Sequence, residues 1–150
     1  MTVQAIVDDL TGVTSDGGFV VKMTNKTGAA SVKGMLVEPD GSVDLAFEAC
    51  DADGYDPIGI VYEAGIADGS ECWVVIAGIA DALIEDNTAA TRHYWVRVSA
   101  DQAGRVNIET AAPSGGTLPA LDAHFRECGH ALESQTSGTD VLCKIAMHFN

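Results

Sequence analysis

The chain has 150 residues, the size of one domain, and sets 22 acidic side chains against 8 basic ones for a formal net charge of −14. That balance argues against nucleic acid or an anionic membrane surface as a partner, and a hydrophobic content of 47% argues against intrinsic disorder. A domain of this length buries roughly 70% of the surface its unfolded chain exposes, so it needs no disulfide or metal to hold it together.

Residues 1–9 lack the basic-then-apolar order of a secretory leader, and none is expected. Residues 1–18 read as an N-terminal arm or first strand, followed by a single β domain over 19–150. Phe19, Val21 and Met23 recur at period two and predict a strand with all three on one face. Val43, Leu45 and Phe47 oppose Asp44 and Glu48 in the same manner. Residues 72–77 are continuously apolar, as in a strand covered on both faces. Even the longer run 72–80 is far below the roughly 20 residues a membrane-spanning helix needs. The tetrapeptide Gly65-Ile66-Ala67-Asp68 recurs as Gly78-Ile79-Ala80-Asp81, a single short recurrence that does not make an array.

Further along, Tyr94, Val96 and Val98 oppose Trp95 and Arg97. Residues 111–119, with Pro113, Gly115, Gly116 and Pro119, are the most loop-like stretch. In 118–133, Leu121, Phe125, Cys128 and Leu132 have helix-like spacing, but Gly129 interrupts it and a strand over 125–132 competes. At the end Val141, Cys143, Ile145, Met147 and Phe149 alternate with Leu142, Lys144, Ala146, His148 and Asn150, a strand with one wholly apolar face. Turn pairs such as Gly17-Gly18, Asp40-Gly41, Asp53-Gly54, Asp68-Gly69, Asp86-Asn87 and Ser137-Gly138 separate these runs. The expected fold is an all-β sandwich or small barrel with at most one short helix.

The charge is unevenly placed. Residues 34–91 contain thirteen acids and no Lys or Arg, whereas the rest of the chain holds nine acids and eight bases. Within that block Asp51, Asp53 and Asp56 resemble a calcium loop. An EF-hand, however, wants an oxygen ligand at Tyr55, glycine at Asp56 and a bidentate Glu at Tyr62, so a solvated acidic turn is the simpler account. His124, Cys128 and His130 would share a strand face with Arg126, and Cys with His at i, i+2 can hold zinc. Arg126 between them and the lack of a fourth ligand nearby favour a strand with surface histidines. Cys50, Cys72, Cys128 and Cys143, spaced 22, 56 and 15 apart, match no zinc ribbon or redox pair and read as reduced apolar side chains. No metal and no cofactor are expected. No phosphate-binding glycine loop, nucleophile elbow or His-Glu-x-x-His motif occurs.

The C-terminal half resembles the phage head decoration, or capsid cement, proteins. The resemblance runs over roughly residues 55–150. It is carried by Ile79-Ala80-Asp81-Ala82-Leu83, by Ala89-Ala90-Thr91-Arg92 before Trp95-Val96-Arg97-Val98-Ser99, and by Ala103-Gly104-Arg105. Most specific are His124-Phe125-Arg126-Glu127-Cys128-Gly129-His130-Ala131-Leu132-Glu133, then Gly138-Thr139-Asp140-Val141-Leu142-Cys143-Lys144 and the terminal His148-Phe149-Asn150. Cys128 stands where such proteins usually have an aliphatic residue, and the N-terminal third departs from them.

The resemblance implies a mostly β, β-tulip-like fold, a structural role without catalysis on the capsid exterior, and assembly either as a homotrimer bound to the major capsid protein or as subunits that bridge neighbouring capsid proteins. It favours a strand at 124–133. On this view Trp95, Arg97, Arg126, His124 and His130 are the partner-binding candidates. The acidic block 34–91 faces solvent or a basic patch on the shell. Two alternatives from other classes are a tail-fibre or calcium-dependent binding module and a small hydrolase with a dispersed site. Low Lys with high Asp also suits a saline setting.

Overall fold

A computed structural model describes residues 4–5, 10–109 and 125–149. Among them the regular structure is strand throughout, apart from one helical residue at Phe125. Among the described residues no helix is long and apolar enough to cross a membrane. In chain order the strands are β1 (Gln4–Ala5), β2 (Thr11–Val13), β3 (Gly18–Asn25), β4 (Leu36–Pro39), β5 (Ala46–Ala49), β6 (Gly59–Val61) and β7 (Glu71–Leu83). They continue with β8 (Trp95–Val98), β9 (Val106–Glu109), β10 (Glu127–Ala131) and β11 (Leu142–Met147).

The thirteen-residue β7 organises the sheet by pairing in two directions along its length. Its first half lies between β3 and β6, and β3–β5–β4–β6 completes a five-strand circuit in which only the β3–β5 pair is parallel. Its second half pairs with β11. The circuit β11–β10–β8–β9 then returns to β7 through a bridge between Ile84 and Val106. The expected barrel is therefore two small closed rings with one strand in common, and closure leaves few free edges. β2 adds to β3 as a hairpin, with β1 outside it.

Gly78 marks the changeover on β7. It pairs with Gly18 on one side and Met147 on the other, at a φ of 86°. A Cβ there would strike the Gly17 carbonyl, so only glycine fits. Beside it the register slips between Phe19 and Val20, a bulge that bends β7 from one ring to the other.

Burial follows from this geometry. The apolar run is covered on both faces over 72–76 and opens at the exposed Ala77: Cys72 and Val74 join Val37, Phe47 and Val61, while Val75 joins a second cluster with Val20, Leu36 and Ile60 that runs on to Val96, Ile108, Cys128, Cys143 and Ile145. The end strand keeps its expected face, with Cys143, Ile145 and Met147 buried, as does β8 with Val96 and Val98. Each fully buried Val or Ile contributes about 1.5–3 kcal/mol relative to exposure.

Two expected faces differ. On β3 the face opposite to Phe19, Val21 and Met23 is the more buried one, with Val20 in the core, while Phe19 is 38% exposed and Val21 and Met23 are half-buried. In the other segment Asp40 Oδ1 accepts the N–H groups of Ser42 and Val43 at 2.9 and 2.7 Å, which holds the chain in a turn. Leu45 then takes a φ of 52° and β5 starts only at Ala46, so Phe47 is buried while Val43 and Leu45 face solvent.

The repeated tetrapeptide takes two unrelated structures, a bend at Gly65 and the middle of a strand at Gly78. In 118–133 the described part runs from a helical Phe125 and a turn at Arg126 into the strand β10, so residues 127–131 are strand. The rest, with the expected loop 111–119 and His124, lies outside the described residues, as does most of the arm before Leu10.

Candidate functional site

Two surfaces carry the chemistry. The first lies where β8, β10 and the end of β11 meet. In β10 the register shifts between Glu127 and Gly129 against Arg97 and Val96 of β8. Gly129 has a φ of 143°, and a Cβ on it would collide with the Ala146 carbonyl. This bulge breaks the two-residue period, with the result that Glu127 and His130, three apart, meet on one side. Cys128 turns into the core, fully buried. The expectation that Cys128 and His130 share a face fails for that reason.

His148 follows β11, and its N–H donates to the Cys128 carbonyl at 3.1 Å, which brings its ring over the same spot. His148 Nε2 lies 3.0 Å from His130 Nδ1 and 3.3 Å from Glu127 Oε1. Trp95, half-buried on β8, meets the His130 ring edge-on at a centroid distance of 5.8 Å. Glu127 is only 6% exposed, His130 is half-buried and His148 is exposed.

The remaining sequence candidates are held within the chain. Arg97 forms an ion pair with Glu109 on β9. Arg126, its side chain 12% exposed, forms an ion pair with Asp53 at 2.6 Å, stacks over the Tyr55 ring at 4.3 Å and bonds the Tyr55 hydroxyl. It fastens the 51–56 loop to the start of β10. Because Asp53 is turned to Arg126, the carboxylates of Asp51, Asp53 and Asp56 do not converge as a cation site.

The four thiols are free and buried. Burial pushes Cys128 up to about 12 and Cys143 up to about 11, and it raises Cys50 and Cys72 as well. They stay protonated near neutral pH and make poor nucleophiles.

The second surface is acidic. None of the thirteen acids of 34–91 is fully buried, but they differ in company. Asp81 is held by Lys33 at 2.9 Å and Lys144 at 3.0 Å, Asp86 by Arg105 at 3.0 Å, Asp53 by Arg126 and Glu71 by Lys22 at 3.8 Å. All five bases come from outside the block. Burial opposes ionisation of Asp81, but the hydrogen bonds from Lys33 and Lys144 prevail and hold its carboxyl below the ordinary range.

By contrast Glu38, Asp40, Asp44, Glu48, Asp51 and Asp56 form no ion pair among the described residues. Bonds from the Ser42 N–H and hydroxyl hold Asp40 below the usual carboxylate range, with Lys26 adding to the effect. In their midst stand Val43, 40% exposed, and Leu45, 75% exposed and in left-handed backbone. In comparisons with known proteins, no family model and no curated protein matches the chain.

Proposed function

We propose that this chain is a non-catalytic structural protein of a phage virion, which binds the outer surface of the capsid and stabilises the shell. The observation that carries the reading is the stretch 38–56, where six carboxylates that form no ion pair among the described residues occur with the exposed Val43 and Leu45. Apolar anchors set in a charged rim are how a surface-binding protein gains affinity and steering together. Leu45 keeps its side chain 75% exposed in left-handed backbone, a costly conformation for a residue with a branched side chain. The resemblance of residues 55–150 to decoration proteins supports the same reading.

On this reading the partner is the major capsid protein, and a basic patch on it meets residues 38–56. Copies associate as a homotrimer through the face that holds Trp95, Arg97 and His130. Arg126 acts indirectly, by positioning the 51–56 loop.

The test uses expanded, undecorated shells assembled from the capsid protein of the same genome. Binding should weaken as salt rises, and should weaken again when Asp40, Asp44, Asp51 and Asp56 are replaced by Asn. Binding indifferent to both would remove the acidic contact from the account. The hydrolase reading draws support from Glu127, His130 and His148. Turnover of a simple ester or phosphoester that disappears in His148→Ala would favour it.

A further inference from the structure

We infer that Glu127, His130 and His148 form a binding site for a divalent transition-metal ion of the zinc type, independent of the proposed capsid role. Among the described residues this is the group whose carboxylate and imidazole donor atoms converge, all within 4.8 Å of one another. The arrangement follows from the fold. The β10 bulge brings Glu127 and His130 together, the β10–β11 register places Gly129 opposite Met147, and His148 is the next residue.

The spacing fits an ion. With metal–ligand bonds of about 2.0–2.1 Å, a tetrahedral zinc sets its ligand atoms roughly 3.3–3.4 Å apart. The two measured edges here, 3.0 Å between His130 Nδ1 and His148 Nε2 and 3.3 Å between His148 Nε2 and Glu127 Oε1, lie within a few tenths of that.

His148 Nε2 lies close to both His130 Nδ1 and Glu127 Oε1, at 3.0 and 3.3 Å. A cation there meets three donor atoms that lie within 4.8 Å of one another. Much of the ordering cost is met in advance, because Glu127 is buried in β10 and the edge of Trp95 abuts His130.

The donor set selects the metal. Two imidazoles with one carboxylate suit zinc, cobalt, nickel or copper. Calcium and magnesium want six or more oxygens and find one carboxylate here. Three protein ligands leave a fourth position for water or a donor from another molecule. The protein's net negative charge of −14 raises the local cation concentration without giving this selectivity.

The experiment is calorimetric titration of the EDTA-treated full-length protein with zinc chloride, with magnesium and calcium chloride as comparisons. One zinc per chain should bind, and the melting temperature should rise with it. Magnesium and calcium should do neither at this site. Affinity should fall as pH is lowered, since protons compete for the imidazoles.

His148→Ala, at an exposed position, should keep the metal-free melting temperature and lose zinc affinity by more than the ~10–100-fold that an outer-shell change causes. Glu127→Gln should weaken binding as well. Cobalt in the unaltered protein gives an independent reading that does not depend on any variant folding. Its spectrum should show nitrogen and oxygen ligation without thiolate charge-transfer bands. Zinc binding that survives His130→Ala/His148→Ala, a thiolate signature with cobalt, or no stoichiometric zinc binding would each overturn the inference.

Discussion

The two rings that share β7 treat charge in opposite ways. In the ring of β7, β11, β10, β8 and β9 the acids Asp81, Asp86, Glu109 and Asp140 each have a cation, with Arg105 alone joining Asp86, Asp140 and the Ile84 carbonyl. In the ring of β3, β5, β4 and β6, Glu38, Asp40, Asp44, Glu48, Asp51 and Asp56 form no ion pair among the described residues, and Asp53 in the same stretch is held only by Arg126 from the start of β10. A count along the sequence makes residues 34–91 uniformly acidic. The fold brings Lys33, Arg105, Arg126 and Lys144 onto that block from elsewhere and leaves a smaller surface unneutralised, around Leu45. One ring uses charge to fix its own geometry, and the other presents it outward.

The contrast can be broken at several points. Gly129→Ala should be the most damaging, since it forces a side chain into the Ala146 carbonyl at a left-handed φ. A loss of about 4 kcal/mol or more is expected, seen as a collapse of soluble yield or of the melting temperature. Gly41→Ala in the other ring, with open space around it, should leave melting unchanged.

Ile145→Ala, fully buried, should cost about 2–4 kcal/mol by chemical denaturation. Leu45→Ala should stay within about 0.5 kcal/mol and yet weaken capsid binding. Equal losses of stability for the two would remove the argument that Leu45 faces a partner.

Asp81→Asn should cost about 1–2 kcal/mol, because Lys33 and Lys144 lose the carboxylate between them. The pH dependence has a defined sign. The folded carboxyl titrates below its unfolded value, so its contribution is full above the ordinary carboxylate range of about 4 and is lost as pH falls through the lower folded value. The variant's deficit should therefore shrink in acid. A deficit that persists unchanged at pH 2 would show that the ion pairs are not its source.

The joint change of Asp40, Asp44, Asp51 and Asp56 to Asn should alter stability by no more than about 0.5 kcal/mol per site. Its expected effect is on the salt dependence of capsid binding.

What the sequence disclosed depended on how local the cause was. The alternation of Cys143, Ile145 and Met147, the Val96 and Val98 face and the doubly covered run from Cys72 are local patterns, and each appears in the fold. Leu45 was misassigned because it takes a positive φ just before β5 begins.

The histidine site shows the same limit. His130 and Trp95 were legible as surface candidates. Glu127 and His148 were not, because the first reaches His130 only through a bulge and the second lies 18 residues from His130, just past the end of β11. The bulge did leave one signal, a glycine in the middle of an otherwise strand-like run at Gly129. Nothing local could show that Arg126 would be taken up by Asp53 and Tyr55, across a sequence separation of 71 residues from the tyrosine.

The outward-facing ring is the centre of the account, and one measurement addresses it directly. Expanded, undecorated shells mixed with the purified protein at low salt should show added density at fixed lattice positions by electron microscopy, with residues 38–56 against the capsid. Shells that remain bare beside folded protein, or density that meets the capsid through another face, would contradict it.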